Sequence, residues 1–350
     1  MVVDVVLGVL GTSFLIVALY DVTTTTVAVG AGKGPLTSQV ARAVWLGFLA
    51  VASRRGRGRF LTAGGPAVLF AVVATWVVLL VAGWALLFAA TGGLDDPTTG
   101  KRPFPLLRFA VGLVVGRIES GAQPVGGAGQ GLQLIAAVTG VILLTLTIAY
   151  IIPVVNATVL KRRVASHISS LGHTPAEILV RAWNGTNFGD LHLYLVALVP
   201  MIAELGERHL AYPILHYFHS AERHTAVGPN VAVLDETLTM LRCCVEEATL
   251  EPSTVLPLRR AITQFLDTLR EAFITLADAP APPPDLERLR TDGVPLVDAD
   301  EVEAEFEAVS ERRRLLLALL RHDAWSWEDL PVVQTSLPTI TVDEEPPTET

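Results

Sequence analysis

Apolar positions along the chain come first in long unbroken runs and later in short amphipathic ones. Val5–Tyr20 holds 16 residues without a charge, Pro66–Ala90 holds 25 and Gly131–Leu160 holds 30. A membrane-crossing helix needs about 20 predominantly apolar residues. All three runs therefore predict spans, the first if Asp4 lies near the surface. The first run lacks the basic start and small-residue cleavage site of a leader peptide. Between the first two runs, Val40, Val44, Trp45, Phe48 and Leu49 recur at helical spacing, and the segment ends in Arg54, Arg55, Arg57 and Arg59. That pattern predicts an amphipathic helix lying in the interface.

Beyond the third run the periodicity predicts ordinary amphipathic helices. Thr174 and Pro175, with Glu177, form a helix start. Phe188–His209, Pro213–His219, Val231–Ala248 and Val255–Leu276 continue the pattern. DAPAPPPD (278–285) breaks it, and Ala299–Asp323 predicts one further long charged helix. No strand alternation is evident, and the closing TITVDEEPPTET has the composition of a disordered tail.

The connection between the second and third runs is unusual. TGGLDDPTTGKRP is a polar turret rich in Gly, Pro and Asp, and FPLLRFAVGLVVG follows with about twelve apolar residues, too few to span. A re-entrant half-helix fits that length, as does a loop resting on the surface. RIESGAQPVGGAGQG then leads into the last run. Irregular backbone at membrane depth is tolerated only where it lines water or is buried in protein.

Charge divides the chain and orients it. The chain is 51% hydrophobic and 17% charged; residues 1–165 carry 13 Lys/Arg against 5 Asp/Glu, and residues 166–350 carry 13 against 30. This predicts a membrane portion followed by a soluble one. Arg42, the arginine cluster and Lys161–Arg163 mark the cytoplasmic side, which puts the amino terminus outside and the carboxy-terminal half in the cytoplasm of a multi-pass cell-membrane protein. Cys243 and Cys244 are adjacent and read as buried or reduced thiols. The sequons at Asn156 and Asn184 then face the wrong compartment for glycosylation.

The order of span, turret, short apolar helix, narrow loop and span resembles bacterial two-span potassium-channel (ion-channel domain) proteins with an extra amino-terminal span. LLTLTIAYIIPVVNATVLKRRVASHISSLG is similar to their inner helix and its exit, and ERHLAYPILHYFHSAERHTAVGPNVAVLDETLTML to the helical domain that follows it. The resemblance implies an all-α membrane protein with three transmembrane helices, a re-entrant pore-helix loop and an α-helical cytoplasmic domain. The corresponding divisions are 1–60 (first span and interfacial helix), 61–163 (pore module), 164–277 (helical domain), 278–335 (proline-rich linker and charged helix) and 336–350 (acidic tail).

The filter itself departs from that family. With Phe109 and Pro124 in register, the Gly-Tyr-Gly positions fall on Ile118, Glu119 and Ser120, and the threonine positions on Leu113, Val115 and Gly116. Potassium filters stack backbone carbonyls that replace the ion's hydration shell, and isoleucine resists the positive φ that glycine allows there. The filter is degenerate, and potassium selectivity does not carry over.

In a homotetramer, which the resemblance implies, Arg117 and Glu119 would ring the mouth between Gly116 and Gly121. A carboxylate ring favours cations and a guanidinium ring anions; solvated mouth charges without a selectivity role remain the other reading. Arg108 beside Phe109 in the short helix is a costly charge, able to pair with Glu119, Asp95 or Asp96. Gly140 and Pro153 are the points where the inner helix can bend.

The expected function is passive ion conduction, non-selective or cation-preferring. The alternative is a non-conducting channel homologue acting as a membrane-anchored sensor or scaffold. A small-solute transporter fits poorly, because three spans without paired broken helices do not match that architecture. TTTTVAVGAG (23–32) mimics a filter but has no short helix before it and reads as a Thr/Gly-rich exit from the first span. His209, His216 and His219 lie near one another in sequence and read as aromatic packing before metal ligands. No catalytic or nucleotide-binding motif appears, so no enzyme activity and no cofactor are expected. The acidic second half argues against nucleic acid, leaving the bilayer, like copies and inorganic ions as partners.

Overall fold

The computed structural model describes residues 1–27, 34–55, 58–95, 104–117, 122–246, 252–272 and 274–330. The described chain is helical: α1 (Val2–Thr26), α2 (Pro35–Arg55), α3 (Gly58–Thr62), α4 (Gly64–Ala90), α5 (Pro105–Val115) and α6 (Gly126–Leu171) come first. They are followed by α7 (Pro175–Ala182), α8 (Leu191–Ala211), α9 (Val227–Cys243), α10 (Pro252–Ala272), α11 (Glu287–Thr291), α12 (Ala299–Ala308) and α13 (Ser310–His322). Two strands, β1 (Leu94–Asp95) and β2 (Gln123–Pro124), pair antiparallel and close the excursion that carries α5. Among the described residues, α1, α4, α6 and most of α2 are long and apolar enough to cross a membrane.

α4 is the hub of the apolar body. α1 lies antiparallel to it: a Cβ on Gly8 would meet Ala90, one on Gly11 would meet the Gly83 carbonyl, and the Trp76 indole donates to Asp21 at 2.8 Å. α6 lies on another side of α4, through Trp84 to Thr139 (3.0 Å) and Trp76 against Tyr150 (6.3 Å between ring centroids). Its buried stripe runs from Ala136 through Gly140, Leu143, Thr147 and Tyr150 to Ile168. The spacing alternates four and three, as one helix face requires.

α6 is one helix of 46 residues, about 69 Å at 1.5 Å per residue. Its first part packs in the apolar body, while Leu160, Val164, Ala165 and Ile168 belong to the core of the second helical body. The division expected near residue 163 therefore falls inside a continuous helix. Ile214 and Leu215 return the exchange, lying in the apolar core.

The second body is built round α9, buried on all sides. Its Asp235 and Glu236 are neutralised in place. Arg312 binds Asp235 bidentately (2.6 and 2.8 Å), Arg259 binds it at 2.9 Å, and Arg313 binds Glu236 at 2.9 Å. Arg313 also donates to the carbonyls of Ala281 and Pro282, pinning the proline-rich segment.

Several sequence expectations change here. Ala299–Asp323 is not one helix: α12 ends and α13 begins at Val309, whose ψ of 11° leaves the helical region. Pro213–His219 is not an amphipathic α-helix but a 3-10 turn over Pro213–Tyr217. The first apolar helix continues past Tyr20 to Thr26, and the hydroxyls of Thr23, Thr24 and Thr26 are satisfied there by carbonyls four residues earlier. The rest of the filter-like stretch, 28–33, lies outside the described residues, as do the turret from 96 to 103 and the tail from 331. Cys243 and Cys244 are buried free thiols, and burial raises both above the usual thiol range, Cys244 to about 12.

Candidate functional site

The segment between α4 and α6 is set up by its own local signals. Pro105 occupies the first turn of α5, where its missing N–H costs nothing. Gly116 ends the helix at φ 80°. Its N–H reaches the Leu113 carbonyl (3.1 Å) and the Arg117 N–H reaches the Gly112 carbonyl (2.6 Å), a Schellman closure. Gly116 is therefore the stop of a helix, because a side chain resists that conformation. At the other end, Leu94 faces Pro124 and Asp95 faces Gln123, and Val125 N–H bonds to the Gly93 carbonyl at 3.2 Å. Both feet of the excursion thus stand together.

α5 lies in the angle between α4 and α6. Phe109 is buried edge-on against Phe88, 5.2 Å between ring centroids. Further along, Val114 backbone presses on Gly140, where any Cβ would collide with it. Gly140 stands fourteen residues into α6, about 21 Å from its start. The carboxy-terminal end of α5 thus reaches far along α6, while both feet remain level with the start of α6. At Gly140 the glycine provides room for a neighbour, and α6 continues without a break there and at Pro153. Arg108 lies on the exposed side of α5, and Arg117 is exposed just beyond its end. Ile118, Glu119, Ser120 and Gly121 lie outside the described residues.

Two polar nodes escape a reading of the sequence. The fully buried Asp21 carboxylate accepts from Leu36 N–H (2.8 Å), Thr37 N–H (3.2 Å), the Thr37 hydroxyl (2.6 Å) and the Trp76 indole (2.8 Å). It caps α2 and ties α1, α2 and α4 together, and Gly34 has no side chain because one would overlap that carboxylate. The second node is Lys161, read from the sequence as a flanking charge. It is buried, and its ammonium donates to the carbonyls of Leu215 and Phe218, both at 3.0 Å. It bolts the 3-10 turn of the second body to α6.

The histidines do not converge as a ligand set. His209 Nδ1 bonds to the Leu205 carbonyl at 2.9 Å and the ring packs edge-on to Phe265. His216 stacks on His322 with 4.0 Å between centroids. Burial lowers His209 to about 3 and depresses His219 and His322, so these rings are neutral near pH 7.

No family model matches the chain, and no solved structure matches it. Among curated proteins, the uncharacterized membrane protein YdjJ of Bacillus subtilis (strain 168) is 30% identical over 322 residues, covering 91% of this chain and 94% of the relative. A match of that extent spans both helical bodies. The chain belongs to the family of that membrane protein.

Proposed function

We propose that the chain is an ion-channel-like membrane protein in which α5 is a re-entrant helix and the loop from Gly116 to Gly121 borders the ion path. The carrying observation is the course of α5: both feet of the excursion stand together, and its far end lies against Gly140, deep along α6. On this reading the hairpin carries the charged Arg117 toward membrane depth, where protein or water must surround it.

On this reading α1, α4 and α6 are the spans, and α2, also long and apolar enough to cross over most of its length, is interfacial. α2 starts beside Trp76 at the end of α1, and by Trp45 it lies on Gly64, where α4 begins. Arg42, Lys161, Arg162 and Arg163 lie toward the end where α4 begins, which supports reading that end as cytoplasmic, with the amino terminus and the α5 feet outside.

Conduction is non-selective or cation-preferring, because Arg117 and Glu119 take the place of a carbonyl filter. By resemblance four chains surround the path. Purified protein in planar bilayers is expected to give unitary currents that Glu119→Gln alters; silence under every voltage and ligand condition sinks the reading. A second reading, a non-conducting sensor or scaffold, is favoured by the continuity of α6 into the second core and by the Lys161 bolt. Ion flux from vesicles that disappears on changing the loop counts against it.

A further inference from the structure

A cavity of about 740 Å³ opens where the apolar body meets the second body. Arg42 and Trp45 of α2, Tyr150 of α6, Arg270 and Glu271 of α10, and His322 of α13 form its chemically distinctive walls. Leu46, Leu49 and Ile274 supply apolar surface between them. Tyr150 packs on Trp76, which is bonded to Asp21 near the end of α1. The cavity therefore lies where the long apolar helices of a membrane protein give way to its water-facing part, the level at which tryptophan and tyrosine collect.

Its charges are uneven. Arg42 is exposed and has no carboxylate within ion-pair distance among the described residues. Among the described residues Arg270 pairs with Glu311 at 3.3 Å, both side chains exposed, and such pairs exchange readily. Glu271 is the single carboxylate among the lining residues. Two guanidinium groups and an aliphatic wall in one cavity match an amphiphile with an anionic head. Guanidinium groups bind phosphate oxygens in pairs of parallel hydrogen bonds.

We propose that this cavity binds the headgroup of an anionic phospholipid, its phosphate between Arg42 and Arg270 and its acyl chain along Leu46 and Leu49. A zwitterionic lipid would bring a third cation to a place that already has two. A free phosphate shares the head chemistry but would leave the aliphatic wall facing water. The site does not depend on whether ions pass through the protein.

The test uses the full chain, purified in mild detergent, stripped of lipid and observed by native mass spectrometry. Phosphatidylglycerol and phosphatidylcholine are added at equal concentration, with and without millimolar inorganic phosphate. The glycerol lipid is expected to be retained about fivefold or more over the choline lipid, as one or two basic contacts imply. Arg42→Gln with Arg270→Gln should bring that ratio near one, and Glu271→Gln should raise it. Both arginines are partly exposed, and unchanged helix content would exclude a folding defect. Equal retention of the two lipids, or an undiminished preference in the double variant, overturns the proposal. Displacement of the lipid by inorganic phosphate overturns its lipid source.

Discussion

The two bodies of this molecule differ in how far their helices rely on glycine and how far on paired charge. In the apolar body the closest contacts come from missing side chains: Gly11 on Gly83, Gly140 on Val114, Gly64 under Trp45 and Gly65 under Phe218. In the second body they come from charge, with Asp235 and Glu236 of a buried helix gripped by Arg259, Arg312 and Arg313. Lipid is as apolar as leucine and gives helices no hydrophobic reason to associate, so close backbone approach takes over. In water, apolar burial already drives association, and a few paired charges fix which helix goes where. Asp21 is the exception inside the apolar body. It is a buried carboxylate whose hydrogen bonds in the structure come from neutral donors.

The comparison can be broken from either side. The largest effect is expected in the second body. Arg313→Ala leaves Glu236, which burial already pushes above the usual carboxylate range, without its cation. The loss should be about 3–5 kcal/mol in thermal unfolding, with Arg313→Met plus Glu236→Gln recovering most of it. A loss under about 1 kcal/mol would mean that the pair is not structural.

Acid offers the next test. His209 is held near 3 when folded and returns to about 6.5 when unfolded, so the unfolded chain takes up the extra proton. That contribution is intact above about pH 6.5 and shrinks by about 1.4 kcal/mol per pH unit below it, roughly 3 kcal/mol by pH 4.5. Stability measured against pH should lose that slope in His209→Phe. An identical acid profile in the variant would contradict the assignment.

In the apolar body, Gly140→Val should cost about 1–3 kcal/mol by forcing α5 off α6, and Gly11→Val should act likewise on α1 and α4. Gly47→Ala, at a helix position with open space, should instead stabilise by about 0.5–1 kcal/mol. Equal effects at all three glycines would deny that close approach is their reason. Smallest is Thr174→Ala, which removes the side-chain cap on the Glu177 N–H and should cost about 1 kcal/mol.

What could be read in advance followed from what is local. The three long runs, the short helix with Gly116 at its end and the Thr174 cap each carry their cause within a few residues. Asp21 was invisible because its partners lie 15, 16 and 55 positions away. Lys161 looked like a flanking charge because the carbonyls that receive it are 54 and 57 residues on. Gly140 suggested a bend; in the folded chain its visible role is room for Val114, which only the packing reveals. The break at Val309 has no glycine or proline to announce it, and both flanking segments keep helical composition.

The most direct measurement joins the position of the loop to its role. Glu119→Cys, in a chain whose Cys243 and Cys244 are replaced by alanine, is reconstituted in vesicles and exposed to a membrane-impermeant thiol reagent from the side of the amino terminus. The pore reading expects labelling from that side, with a change in ion flux that tracks the extent of labelling. Complete labelling with flux unchanged, or labelling only from the opposite side, would contradict it.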